Sequence, residues 1–568
     1  MKLASERRLN TVLFILVAAM VMIPLLVSAD AIWKKFRGNE SQNGRTSEIA
    51  CETGDQYWSF FTGNFNFCSP AIAANGEVCF GSRNGYFFAV SPDGDLDWQF
   101  DAVARIDSSP AIDSFGNIYF GAGNGLVYCI TGPTIVATEG TLNWTYDAQD
   151  RVYSSPTLDN DEYSVFFGTD DGRLVSIFSQ NFPATQGTLE WSLLLGDRIF
   201  ASPAYRYYDL APTGSPAGDI AMVYIGVEIG LAEGAVYAIE VPTDPATSTL
   251  ATVQSVYPGT GDDPIGPVDS SVAISDDGNF IYFGSKDGNL YCLTSSGYLQ
   301  WSYETGGMVD SSPGILGTGD IVVGSRDGAV YCVDPSGDLR WSFETGGPIE
   351  SSPAIDGNNN VIIGSRDHFL YSISPNGVQN WRYMSDYHVW SSPVIGRQST
   401  GSGGLEPLVT TATIYFTGAD MRLHAIREDR ASPYFLSRSP DDGETGVSHR
   451  LAKVIFEIVD TQTDVNRESI FMLFRGEHVY PTFERIETDT YRGWKGTYYC
   501  GDETFDYGEE VTVTIEACDT AWEPNCMDET YSFTIESSSR RPVIAPRAPK
   551  LNVNRPLKED HLRPVEIK

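Results

Sequence analysis

The chain has 568 residues, too many for one small core, and its 42% hydrophobic and 12% aromatic content excludes wholesale disorder. A formal charge of -37, with a pI of about 4.4, argues against nucleic acid or an anionic membrane surface as a partner, since phosphate binding needs a basic surface. Such a charge serves solubility more often than recognition.

At the N-terminus Lys2, Arg7 and Arg8 precede an apolar run from Thr11 to Val27, and Ala29 and Ala31 follow with the spacing of an export-signal cleavage site. Residues 1–31 are therefore expected to be a signal peptide, and the protein periplasmic or extracellular. An uncleaved anchor is the alternative, because the run is long for a signal and holds Pro24. No Cys stands near the cleavage site, which argues against lipoprotein processing.

Over 32–430 a short phrase returns eight times: Ser69-Pro70, Ser109-Pro110, Ser155-Pro156, Ser202-Pro203, Ser271-Val272, Ser312-Pro313, Ser352-Pro353 and Ser392-Pro393. The step from Pro313 to Pro353, and again to Pro393, is 40 residues, a period of propeller blades or solenoid units. Each unit holds four runs rich in Val, Ile, Tyr, Phe and Trp, separated by turn pairs such as Asn84-Gly85, Asp287-Gly288 and Asp327-Gly328. Four strands in each of eight units predict an eight-bladed β-propeller. The outermost strand carries Trp98, Trp144, Trp191, Trp301, Trp341 and Trp381, and Val253–Tyr257 substitutes in the fourth unit. The eighth unit ends at Ile426 without its Trp strand, so Tyr57-Trp58-Ser59-Phe60 is expected to pair there and close the ring.

Cys129, Cys292 and Cys332 share one repeat position with Ala89, Ser176, Ala238, Ser372 and Ala425, which marks a small buried slot rather than disulfide bonding. Of the later trio Cys500, Cys518 and Cys526, the pair Cys518–Cys526 is the disulfide candidate, being separated by a short loop.

The pattern Ser-Ser-Pro-Ala-Ile, Gly-Ser-x-Asp-Gly-x-Leu-Tyr and Leu-x-Trp-x-Phe resembles the pyrroloquinoline-quinone-type propeller repeat. The opening Trp33–Thr46 is similar to the lead-in of such proteins. That resemblance implies an all-β quinoprotein-like propeller. Its superfamily holds calcium- and quinone-dependent dehydrogenases as well as non-catalytic scaffolds of outer-membrane protein assembly. The dehydrogenases imply a vicinal Cys pair and a calcium site of carboxylate, amide and catalytic Asp. This chain has no adjacent cysteines and no matching cluster, so those sites are not carried over.

Residues 431–537 alternate as short strands (Ala452–Ile458, Ser469–Phe474, Thr497–Cys500, Val511–Ala517, Tyr531–Ile535) and resemble a bacterial Ig-like β-sandwich. Asp460, Asp464 and Asn466 read as a polar turn rather than a calcium loop, since their spacing does not match an EF-hand. Residues 538–568 are polar and Pro-rich, and a disordered tail is expected.

Long insertions (131–141, 179–188, 205–218, 241–267, 396–413) are expected on one face of the ring and tight turns on the other. On the plain face, one place before each Ser-Ser-Pro stand Asp107, Asp269, Asp310 and Glu350, with Phe67, Tyr153, Phe200 and Trp390 in the other units. Three places before stand Arg105, Arg151, Arg198 and His388, on the same side of the strand. A cationic arc would then face an anionic arc across the channel mouth. It is either a ligand or partner site or a ring neutralised by its own inter-blade salt bridges. No Ser-His-Asp set, zinc spacing or phosphate loop stands out, and with six His metal catalysis is not expected.

Two functions follow. One is an exported, non-catalytic binding or scaffold protein that presents its propeller to a protein or polysaccharide partner in the cell envelope, with no cofactor and no metal. The other is a quinone-dependent dehydrogenase with a degenerate site. Membrane contact is expected only if the N-terminal segment is retained.

Overall fold

The computed structural model describes residues 33–39, 41–133, 139–181, 185–209, 219–243, 250–396, 412–428, 434–440, 443–448, 451, 453–460, 465–488, 492–500, 505–506, 509–518 and 526–535. The expected export segment and tail lie outside them, as does a part of each insertion named above. The chain divides into two compact units, Met1–Ala431 with Ala521–Pro524, and Ser432–Thr520 with Asn525–Lys568. Among the described residues the one helix is a three-residue turn, Arg467–Ser469, and no helix is long and apolar enough to cross a membrane.

The first unit is a quinoprotein-like β-propeller. Its described strands form eight antiparallel four-stranded sheets, whose innermost strands are Ala71–Ile72, Ala111–Ile112, Thr157–Leu158, Ala204–Tyr208, Ala273–Ile274, Gly314–Ile315, Ala354–Ile355 and Val394–Gly396. The second and third strands are buried on both faces, as in Val361–Gly364 and Phe369–Ile373, so they read as near-continuous apolar runs. Outermost strands such as Leu339–Glu344 alternate exposure and carry the Trp. Gln56–Phe61 is the outermost strand of the eighth sheet and pairs with Arg422–Ile426, Trp58 lying opposite Ala425.

Three repeated devices join the sheets. The amide of each phrase serine donates to the next serine hydroxyl, from Ser69 through Ser109, Ser155, Ser202, Ser271, Ser312, Ser352 and Ser392 back to Ser69, at 2.8–3.0 Å. The glycine ending the second strand admits the β-branched residue before the next phrase: a Cβ on Gly81, Gly284 or Gly324 would meet Ile106, Val309 or Ile349 at 2.2–2.3 Å. The small slot lies opposite the outer Trp, in pairs such as Ala89 with Trp98, Cys292 with Trp301 and Ser372 with Trp381.

A further device was not expected from the sequence. The lead-in, residues 33–50, bonds to every sheet. Amides of Ile72, Ile112, Ile274, Ile315, Ile355 and Ala412 donate to the carbonyls of Trp33, Lys34, Ser41, Asn43, Gly44 and Ile49 at 2.7–3.0 Å. The Gln42 amide reaches Thr157 and Pro203 of the third and fourth sheets. Arg37, 2% exposed, donates its guanidinium to the carbonyls of Pro313, Pro353 and Gln42. This strap binds the innermost strands after the Ser-Ser-Pro phrase, whereas the predicted mouth residues precede it. The two therefore lie at opposite ends of the innermost strands.

Two expectations about the faces are corrected. The fourth sheet has no tight turn on the mouth side but a long hairpin, Ile220–Ile229 with Glu233–Val241, whose tip residue Leu231 is fully exposed. Segment 241–267 is not one loop-face insertion, because strand Thr252–Tyr257 crosses the sheet within it; the chain returns on the mouth side, where Ile265 bridges Gly234.

The second unit has two sheets, one ordered Tyr434–Ser439, Lys453–Asp460, Arg492–Tyr499, Thr482–Glu487 and one ordered Thr445–Val447, Cys526–Ile535, Glu510–Cys518, Phe471–Phe474, Glu477–Val479. Val454, Phe456 and Ile458 of one share a core with Val511, Val513, Ile515 and Phe533 of the other. Cys518 and Cys526 are bonded, with S–S 1.99 Å. Asp460 is buried at a strand end, and Asn466 caps the short helical turn by accepting from the Glu468 amide. Asp464 lies outside the described residues.

Candidate functional site

The mouth is a collar built from three positions of each repeat. Two are those singled out above. The third is the residue after Gly-Ser at the second-strand turn, which sequence reasoning passed over: Arg83, Lys286, Arg326 and Arg366, with Asp170 and Glu228 in the third and fourth units. The shared letter x in Gly-Ser-x-Asp-Gly was the signal for it. Backbone bonds hold the layers in register, since the amides of Asp170, Glu228 and Arg326 donate to the carbonyls of Arg151, Arg198 and Met308 at 2.8–2.9 Å.

The two expected arcs are therefore not bare. On the side of the first four sheets, Arg83 Nε lies 2.6 Å and Arg105 Nε 3.6 Å from Asp107. Arg151 and Arg198 both reach Asp170, at 4.0 and 3.1 Å. On the other side Lys286 sits 2.6 Å from both Glu228 and Asp269. Arg326 bonds Asp310 and lies 2.9 Å from Glu350, which Arg366 meets from its other oxygen at 3.4 Å. Four arginines thus share two carboxylates on one side, and four carboxylates share three cations on the other.

Aromatic rings separate the arcs. Phe67 and Trp390 stack at 4.4 Å, with Arg83 over Phe67 at 3.8 Å and Arg366 over Trp390 at 5.4 Å. In the third and fourth units Tyr153 and Phe200 lie 5.4 Å apart under Arg105 and Arg198. His388 is 5.6 Å from Trp390, and its Nδ1 bonds the Arg366 carbonyl.

Burial pushes the Asp269 carboxyl above its ordinary range while Lys286 opposes the shift; the same burial disfavours the ammonium, but Asp269 and Glu228 outweigh it and raise Lys286. One oxygen each of Asp269 and Asp310, and the Trp390 indole N–H, have no hydrogen-bond partner among the described residues. Among those residues no three His, Cys, Asp or Glu side chains gather in a way that would hold a metal. Chemically, the collar can recognise charge and stack on planar groups.

A family model described as outer membrane protein assembly factor BamB matches residues 83–224 and 286–432. Among solved structures the chain is similar to a europium-containing methanol dehydrogenase, at 12% identity and a TM-score of 0.52 over 70% of this chain and 98% of that one. It is also similar to a quinohemoprotein alcohol dehydrogenase from Pseudomonas putida HK5, at 12% identity and a TM-score of 0.53 over 74% of this chain and 84% of that one. BamB from Moraxella catarrhalis matches at 15% identity and a TM-score of 0.48, over 66% and 98%. At such identities the likeness concerns fold. No curated protein sequence matches the chain.

Proposed function

The chain belongs to the outer membrane protein assembly factor BamB family, and from that membership we propose that it is an exported, non-catalytic scaffold. It works in the periplasm or outside the cell and offers the mouth collar to a protein or polysaccharide partner of the envelope. In this reading the eight sheets are the blades of one closed propeller. The serine cycle and the pairing of Gln56–Phe61 with the eighth sheet support that. The second unit is an Ig-like sandwich, supported by its two sheets around one core.

The observation that carries the reading is the cationic side of the collar. Arg105, Arg151 and Arg198 are 40, 52 and 49% exposed, while their counter-ions Asp107 and Asp170 are 9 and 8% exposed. Partly accessible cations over nearly buried anions, on a chain of charge -37, form a recognition surface for an anionic segment.

Capture of partners from the native envelope fraction tests this. Arg151→Glu is expected to weaken retention about tenfold or more while leaving the melting temperature unchanged, as a rim charge acts on specificity and association rate. Arg340→Glu, on the outermost strand Leu339–Glu344, is the control. Normal retention by Arg151→Glu, with loss in the control, would move the site off the collar. A quinone chromophore bound after addition of calcium and quinone would overturn the non-catalytic reading.

A further inference from the structure

Two tight turns on the mouth side hold a side chain where the repeat uses glycine. The left-handed position after the turn Asp or Asn is glycine in five units, Gly85, Gly125, Gly172, Gly288 and Gly328, with φ between 81° and 96°. In the seventh unit it is His368, at φ 80°, and in the eighth it is Met421, at φ 66°. A residue with a Cβ is sterically strained in that region. Since Met421 bears the same strain, the strain alone assigns no role to His368, and its surroundings decide.

The role is suggested by what His368 faces. Its ring lies 5.0 Å from that of His388, edge to face at 80°. His388 Nδ1 bonds the carbonyl oxygen of Arg366. A carbonyl can only accept, so Nδ1 carries the proton and Nε2 of the neutral ring presents its lone pair. A backbone acceptor of this kind orients metal-binding imidazoles and fixes their tautomer. Two imidazoles on one ion, each with a bond of about 2.0–2.1 Å, hold their ring centres about 5–6 Å apart. Both rings are partly exposed, and the Ser385 amide steadies the turn by donating to the His368 carbonyl at 2.8 Å. Packing alone asks for no nitrogen here, since Tyr387, 4.6 Å from His388, would lie as well on a phenyl ring. The neighbouring Arg366 charge is turned towards Glu350.

We propose that His368 and His388 are a two-imidazole site for a divalent transition-metal ion of the kind that prefers nitrogen ligands, with solvent completing its coordination. The site is exchangeable rather than structural. It stands apart from Arg105, Arg151 and Arg198 and does not depend on the proposed partner.

Calorimetric titration of the full chain with Cu2+ or Ni2+ at neutral pH tests it. The wild type is expected to take up a single ion that His368→Gly and His388→Gln each weaken about tenfold or more. His368→Gly restores the residue the repeat uses elsewhere, so its melting temperature is expected to hold or rise, which separates lost binding from lost folding. His478→Gln, in the second unit, is expected to bind normally. Absence of stoichiometric binding in the wild type, or undiminished affinity in either His368→Gly or His388→Gln, would overturn the proposal.

Discussion

The slot opposite the outer tryptophans makes a direct prediction. Cys292 and Cys332 are buried and unbonded, and Ala89 and Ala425 fill the same place in other sheets. Cys292→Ala and Cys332→Ala are each expected to cost less than about 1 kcal/mol in urea unfolding. Glycine at the end of the second strand behaves oppositely. A methyl on Gly324 would fall 2.2 Å from Ile349 Cγ2, so Gly324→Ala is expected to cost about 1–3 kcal/mol, and a double-mutant cycle with Ile349→Ala should show strong coupling. Asp159 gives a pH signature. Burial raises its carboxyl to about 7, against the amides of Ser164 and Tyr163, while an unfolded chain titrates near about 3.9. Between these values the folded state keeps a proton that the unfolded state has lost. The contribution is full below about pH 4 and fades as the pH rises to about 7, by up to about 1.4 kcal/mol per unit. Asp159→Asn keeps the acceptor oxygen and should flatten that slope in denaturant midpoints compared from pH 4 to 7; parallel slopes would discount the assignment. At this scale the sequence showed which residues ring the mouth but not their partners. Arg151 and Asp310 stood out by their spacing before the Ser-Ser-Pro phrase, whereas Asp170 and Arg326 reach them from the second-strand turn, and such pairing appears only when the segments are set side by side.

Among elements, the lead-in and the closing strand have the largest consequences. The missing Trp in the last unit announced that Trp58 belongs beside Ala425, because a period leaves a countable gap. The strap left no such mark. Its bonds are mostly backbone to backbone, and Arg37 in the sequence looks like any surface arginine although it is buried against three carbonyls. Trp58→Ala, which also loses the indole bond to the Pro92 carbonyl, is expected to cost about 3 kcal/mol. Arg37→Lys should destabilise as well, because an ammonium lacks the planar fork that spans Pro313 and Pro353. Melting temperatures check both, and an Arg37→Lys protein as stable as the wild type would show that the strap's charge is dispensable. The long hairpin of the fourth sheet was missed for a related reason: Ile229-Gly230-Leu231 carries the composition of a turn, and only the added pairing of Arg198 with Glu228 and Gly234 with Ile265 makes it structure.

For the molecule as a whole, the serine links matter most through their topology. Each sheet is held by its neighbours on both sides, and the last link rejoins the first. Cleavage of the chain between Gly396 and Ala412 would leave Thr413–Thr417 and Arg422–Ile426 still paired with Val394–Gly396 and Gln56–Phe61. A protease cut there is expected to give two bands on a denaturing gel and one undiminished species in gel filtration. Covalent continuity and mechanical integrity thus become separate properties: a nicked particle would persist in a protease-rich surrounding as a hoop that has lost a stitch but not its tension.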